Sequence, residues 1–128
     1  MFEKEIRVQE SDLDALKHVN NVRYVDWVQE VALAHWHEKA PKEMREKWVW
    51  VMTKHCIEYK KAAVLDNHIL IKTYLEAAKG PIANRIVEFY IENDQYAAIR
   101  STTTWCLLDA ASMKPRRIPE NVAEVFYK

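Results

Sequence analysis

Within Ser11–Glu30, SDLDALKHVNNVRYVDWVQE, an acid, a histidine and a pair of asparagines stand close together. Asp14 precedes His18 by four residues and Asn20 by six. A carboxylate can attack a carbonyl carbon itself or deprotonate a water that does so. Asn20 or Asn21 is a natural N-cap, because its side-chain oxygen can accept a free N–H of a helical first turn. That turn presents unpaired backbone N–H groups and the positive end of the helix macrodipole. Such a place can hold the oxygen of a polarised carbonyl and the oxyanion that forms on attack. These residue types fit acyl transfer to water, while their pattern alone leaves other chemistries open.

The elements that would position these residues follow from periodicity. Residues 2–10 (FEKEIRVQE) place Phe2, Ile6 and Val8 on one face and predict a strand. Residues 11–19 form a polar, irregular approach. From Asn21 to about Glu38, Val22, Val25, Val28, Ala32 and Trp36 recur at helical spacing. Such a helix would run about 27 Å at the standard rise. Pro41 blocks its continuation, and 41–48 are expected to make a short helical turn. Residues 48–60 (WVWVMTKHCIEYK) predict a strand with Val49, Val51, Thr53, His55, Ile57 and Tyr59 on one face. Two further strands, 68–78 and 82–92, flank the turn Lys79–Pro81, and 96–108 follow as a long strand. The tail, KPRRIPENVAEVF, opens with prolines that exclude a central strand. One long helix cannot cover both faces of such a sheet, so the sheet should wrap around it and leave a face and an edge for a partner subunit.

Composition narrows the function further. The length of 128 residues suits a single domain, taken as 1–128, and 49% hydrophobic with 30% charged residues is a globular balance. The one glycine excludes glycine-rich phosphate loops and dinucleotide fingerprints. Nineteen basic and nineteen acidic residues cancel, so no global field favours nucleic acid or an anionic membrane. Cys56 and Cys106 lack zinc-site spacing and are expected to be free thiols. The opening MFEKEIRVQESD has no apolar segment typical of a secretory signal, and no apolar run reaches the roughly 20 residues of a membrane span. A cytoplasmic protein is expected.

DLDALKHVNNVRYVDW resembles the helix-entry motif of the hotdog-fold thioesterases, in the 4-hydroxybenzoyl-CoA and acyl-acyl-carrier-protein (ACP) thioesterase-like branch. An Asp, then HVNN, a Tyr and a Trp mark that motif. The strand–helix–four-strand order fits the fold over nearly the whole chain, and RRIPENVAEVF is similar to the family's proline-containing tail. The resemblance implies an α+β hotdog fold, an antiparallel five- to six-stranded sheet wrapped around one long central helix. It implies Asp14 as the catalytic carboxylate and the backbone N–H near Asn21 or Val22 as the group that polarises the thioester carbonyl. His18 matches the motif histidine, which positions substrate or helps move protons. The pattern departs from some relatives at Leu16, where they carry Asn, and at Ala62, where they carry a carboxylate.

The remaining candidates have plainer readings beside functional ones. Asp12 suits a local backbone-bonding turn. Tyr24 and Trp27 are packing residues that can also line an acyl tunnel, so Tyr24 joins Asn20 and Val22 as a candidate substrate-binding position. Lys79 and Gly80 complete that set, because a lysine point charge beside exposed glycine backbone suits a coenzyme A phosphate. Lys60–Lys61, Arg85 and Arg116–Arg117 are expected to be solvated surface. Glu30 suits an orienting role, and Glu58 is a distant candidate for a second acid. His35 and His37, two apart on the helix, point to different faces and cannot chelate a metal together. No metal or cofactor is needed. The expected protein is a homodimer or homotetramer that cleaves acyl-CoA, with acyl-ACP as the close alternative. A non-catalytic acyl-binding protein of the same fold and a hotdog dehydratase are the rival readings.

Overall fold

The structure, a computed structural model, describes residues 1–127. The helix expected from the asparagine pair is capped by Asn20, whose Oδ1 accepts the Val22 N–H at 3.1 Å. Helix α1 runs Asn21–Lys39. It stops at Ala40, next to the proline that cannot continue it, with the Ala40 N–H on the Trp36 carbonyl at 2.8 Å. Helix α2, Lys42–Lys47, follows at once and is the short helical turn expected over 41–48.

The buried stripe of α1 is Tyr24, Trp27, Val28, Val31, Ala32, His35 and Trp36. Val22 is exposed and Val25 only half-buried, so the stripe is rotated from the valine-based expectation. The cause is size: turning Tyr24 and Trp27 inward removes far more apolar surface from water than turning in two valines. Tyr24 meets Phe89 edge-on at 5.3 Å, and Trp36 stacks with Phe126 at 5.6 Å.

Strands β1 (Phe2–Arg7), β2 (Trp48–Tyr59), β3 (His68–Leu75), β4 (Ile82–Ile91) and β5 (Ile99–Asp109) form an antiparallel sheet in the order β1-β3-β4-β5-β2. The sheet wraps α1, and the core divides along the helix. Near the helix start, Tyr24, Trp27, Val28 and Val31 pack on Ile69, Ile71, Phe89 and Ile99. Toward its end, Trp36 packs with Leu107, Ile118, Val122 and Phe126. The last three belong to the tail, where α3, Glu120–Glu124, succeeds Pro119 as a short helix that periodicity did not signal.

Two further differences have local causes. The register of β2 on β5 shifts between Met52 and Lys54. This bulge moves the core-facing parity from Trp50 and Met52 to His55, Ile57 and Tyr59, so Val49 and Val51 do not share the face of the later residues. β5 begins at Ile99 rather than 96, because Glu92 and Asn93 adopt positive φ and open a wider reversal closed by the Ala98 N–H on the Phe89 carbonyl. Arg85, expected at the surface, lies on the inward parity of β4 and is buried. Cys56 and Cys106 are free thiols. Among the described residues, no helix is long and apolar enough to cross a membrane.

Candidate active site

Asp14 sits in a tight loop between the paired residues Leu13 and Val19. Its N–H donates to the His18 carbonyl at 2.8 Å, and its own carbonyl accepts the Lys17 N–H at 3.0 Å. Lys17 takes φ 63° to make that reversal. The carboxylate closes the loop from inside: Oδ1 accepts the Leu16 N–H at 2.9 Å and the His18 N–H at 3.2 Å. One oxygen is therefore anchored. Among the described residues Oδ2 has no hydrogen-bond partner, which leaves it for a substrate or a water.

The helix start is fixed to the same region by Asp12, which is only 7% exposed. Its carbonyl accepts the Asn20 N–H at 2.9 Å, while Oδ2 accepts the Gln9 N–H at 2.8 Å. Oδ1 accepts Arg23 Nε at 2.7 Å. Arg23 also lies 3.3 Å from Asp26 and 3.6 Å from Glu30, and its guanidinium sits over the Trp27 ring. Asp12 is thus a structural brace, in line with its expected turn role, and Glu30 holds Arg23 rather than meeting Asp14.

The cap decides which helix N–H remains available. Asn20 occupies the Val22 N–H, and the Arg23 N–H goes to the Asn20 carbonyl at 2.8 Å. Among the described residues no acceptor meets the Asn21 N–H. Asn21 lines a cleft of about 230 Å³ together with Asp14, His18 and Tyr24. The exposed His18 backbone supports the Asp14 loop, and His18 pairs with Val64 in a short bridge. The Val22 side chain points to solvent, and Val22 does not line the cleft.

Tyr24 is 2% exposed, and its hydroxyl has no hydrogen-bond partner among the described residues. Burial pushes that phenol up to about 12, against the opposing pull of the Ala63 amide, so it stays protonated at neutral pH. The far wall comes from the end of β2 and the loop beyond it: Tyr59, Lys60, Lys61 and Ala62. The Tyr59 hydroxyl reaches the Asn21 carbonyl at 3.4 Å. Lys61 pairs with Asp94 at 2.7 Å. Lys60 and Lys61, expected as plain surface, line the cleft with Asp14, and their place directly after a predicted strand was the only signal for them. Ala62 also lines the cleft. Glu58 projects to the face of β2 opposite Tyr59, outside the cleft.

Lys79 and Gly80 lie elsewhere. Lys79 and Ile82 bond each other across a two-residue turn in which Gly80 has φ 59°. Ile82 pairs with Cys106, whereas the Asp14 cleft lies at the Ile99–Tyr59 end of β5. Seven residues of strand separate the two ends, about 23 Å at the usual rise. Within one chain the turn and the cleft do not meet. One further His–hydroxyl pair exists, His55 Nε2 at 2.9 Å from Ser101 Oγ. Ser101 is fully buried, so it cannot serve as a nucleophile toward a bound substrate.

The family profile described as the Thioesterase-like superfamily matches residues 8–126. This chain belongs to that superfamily. Among curated proteins, this thioesterase-like chain is similar to the acyl-CoA thioester hydrolase YbgC of Escherichia coli O157:H7, with 25% identity covering 98% of this chain and 96% of that protein. Among solved structures it is similar to the probable thioesterase YbaW from Escherichia coli, at TM-score 0.84 and 20% identity, covering 98% and 96% of the two chains. It also matches Slr0204, a 1,4-dihydroxy-2-naphthoyl-CoA thioesterase from Synechocystis, at TM-score 0.83 and 12% identity, covering 99% and 96%. The hypothetical protein SAV2348 from Staphylococcus aureus, solved in complex with CoA, matches at TM-score 0.85 and 11% identity, covering 98% of this chain and 81% of that one. At these identities the solved structures establish the hotdog fold.

Proposed function

We propose that this protein hydrolyses acyl-CoA thioesters to a carboxylic acid and free CoA, with Asp14 as the catalytic carboxylate. The observation that carries the reading is a carboxylate anchored by one oxygen, in the same cleft as the unoccupied Asn21 N–H at a helix start. The Asn21 N–H polarises the thioester carbonyl and stabilises the oxyanion. Asp14 Oδ2 attacks the carbonyl carbon directly or deprotonates a water that does. The C–S bond then breaks and, where Asp14 itself attacked, water hydrolyses the resulting acyl-aspartate anhydride; the oxygen of water ends on the acid and a proton of water on the CoA thiol. Tyr24 contributes a neutral O–H donor at the same place, and His18 lies at the mouth to position the substrate. The name of the Escherichia coli relative, similar over nearly its full length, favours CoA over a carrier protein as the thiol.

A cleft of about 230 Å³ is small for such a ligand, since small-molecule pockets usually span ~300–1,000 Å³. β2 ends the sheet, so the outer edge of its 12 residues is unpaired. A homodimer or homotetramer joined there would enlarge the site and let a second copy's Lys79 turn approach it. Two free thiols suit a reducing cytoplasm.

A thiol-release assay over a panel of acyl-CoAs tests the proposal. Saturable release with kcat/KM within the ~10⁴–10⁸ M⁻¹s⁻¹ enzymatic range is expected for at least one member. Binding without release would establish the non-catalytic acyl-binding protein instead, and release from acyl-ACP alone would move the substrate to the carrier-protein class.

A further inference from the structure

A cavity of about 820 Å³ is larger than the Asp14 cleft and shares no lining residue with it. It lies between the second half of α1, the start of β2 and the tail. Five aromatic side chains, Trp36, Trp48, Trp50, Trp105 and Phe126, line it, and so does Arg85. An arginine that is 4% exposed is costly unless something offsets its charge. Among the described residues no group of opposite charge pairs with it. Arg85 Nη1 donates to Thr73 Oγ1 at 2.9 Å and meets His35 Nδ1 at 3.1 Å, and its guanidinium lies 5.4 Å over the Phe126 ring. All three neighbours are neutral. Burial and the Arg85 charge hold His35 down at about 3, so its Nδ1 is an acceptor at neutral pH. Burial also lowers Arg85, to about 10, and leaves it charged under the same conditions.

A second donor in the cavity lacks a partner. Trp50 Nε1 is buried with no acceptor among the described residues. The acids at the mouth are engaged elsewhere: Asp26 and Glu30 by Arg23, and Glu46 by Lys42 at 3.8 Å. The cavity therefore combines an uncompensated cation, an orphan N–H donor and an aromatic wall.

We infer that this cavity is a binding site for a carboxylate carrying an apolar body, with the carboxylate on Arg85 and Trp50 Nε1 and the body among Trp36, Trp48 and Phe126. A carboxylate has the two acceptor oxygens that a guanidinium fork and a neighbouring N–H require. It would neutralise the buried charge of Arg85, which no acid among the described residues meets. A free carboxylic acid is also the product class of the proposed hydrolysis, but the site does not depend on that reading.

The cavity holds four of the five tryptophans, so intrinsic fluorescence reports its occupancy. Decanoate and decanol, matched in chain length, are titrated into the full-length protein. Saturable quenching by decanoate, with decanol at least about tenfold weaker, is expected from a charge-assisted contact. Arg85→Met should remove that preference. Trp50→Phe, which keeps an aromatic ring and loses only the donor, should weaken decanoate alone, and it carries the test if Arg85→Met does not fold. Asp14→Asn should bind decanoate as the wild type does, which separates this site from the active site whether or not the protein is a thioesterase. Equal binding of acid and alcohol, or decanoate binding unaffected by both cavity variants, overturns the inference. So does fluorescence that changes with protein concentration but not with decanoate, which would identify a second copy of the chain as the occupant.

Discussion

Lowering the pH should destabilise this protein most strongly through His35. It is 1% exposed, stacked on Phe2 at 5.0 Å and meeting Phe126 edge-on at 5.1 Å, with Nδ1 against the Arg85 guanidinium. Burial, then the charge of Arg85, lowers its folded-state value from 6.5 to about 3. Between those two values the unfolded chain takes up a proton that the folded chain refuses. Stability therefore falls as pH drops below 6.5, with a limiting slope of about 1.4 kcal/mol per pH unit. Moving from pH 7.5 to pH 5 should cost about 2 kcal/mol from this group alone. His35→Asn keeps an amide oxygen near the Nδ1 position to accept from Arg85 and cannot titrate. It should be less stable than wild type at pH 7.5, because the ring packing is lost, and the gap should narrow by about 2 kcal/mol at pH 5. Urea unfolding of both proteins at the two pH values measures this, and the other four histidines cancel in the comparison. A gap that stays constant would refute the assignment of His35 as neutral and buried beside a charged Arg85.

The cleft cation Lys60 should matter for ligand binding: Lys60→Ala is expected to raise KM for acyl-CoA several-fold with little change in kcat, and Lys79→Ala to raise KM as well, through a second copy's turn; an unchanged KM for Lys79→Ala would remove that turn from the site. Asn20→Ala removes the helix cap and should cost about 1 kcal/mol in urea unfolding, together with a loss in kcat as the Asn21 N–H loses its fixed direction. Sedimentation at micromolar concentration should show a dimer or tetramer, and a monomer with full activity would dispose of the shared-site reading.

The positions that proved legible were those where local chemistry and tertiary demand agree. Asn20 caps α1 because its side chain suits that turn wherever the helix packs, and Pro41 stops α1 for equally local reasons. Less visible were features decided by competition. Tyr24 and Trp27 displace the valines from the buried face, and periodicity alone cannot weigh side-chain area. The bulge at Met52–Lys54 shifts the face of β2, and nothing in WVWVMTKHCIEYK announces one extra residue. Arg85 left a usable clue: it shares parity with Ala83, Val87 and Phe89, all buried, so strict alternation placed a charge on the inward face. Charge type argued for surface, and pleat geometry prevailed. For the Asp14 cleft, the acid, the cap and the helix start were readable because they lie within one short segment. Lys60, Lys61 and Ala62 arrive from a distant strand, which sequence spacing does not report.

The most direct test of the Asp14 assignment is the turnover of Asp14→Asn. Asparagine keeps an oxygen for the Leu16 and His18 N–H groups, so the loop and the fold should persist in circular dichroism and sedimentation. It removes the charge and the capacity to act as base or nucleophile. Steady-state thiol release should then show kcat reduced by at least about a hundredfold, with KM little changed. A folded variant of native assembly state that retains near-normal kcat would contradict the account.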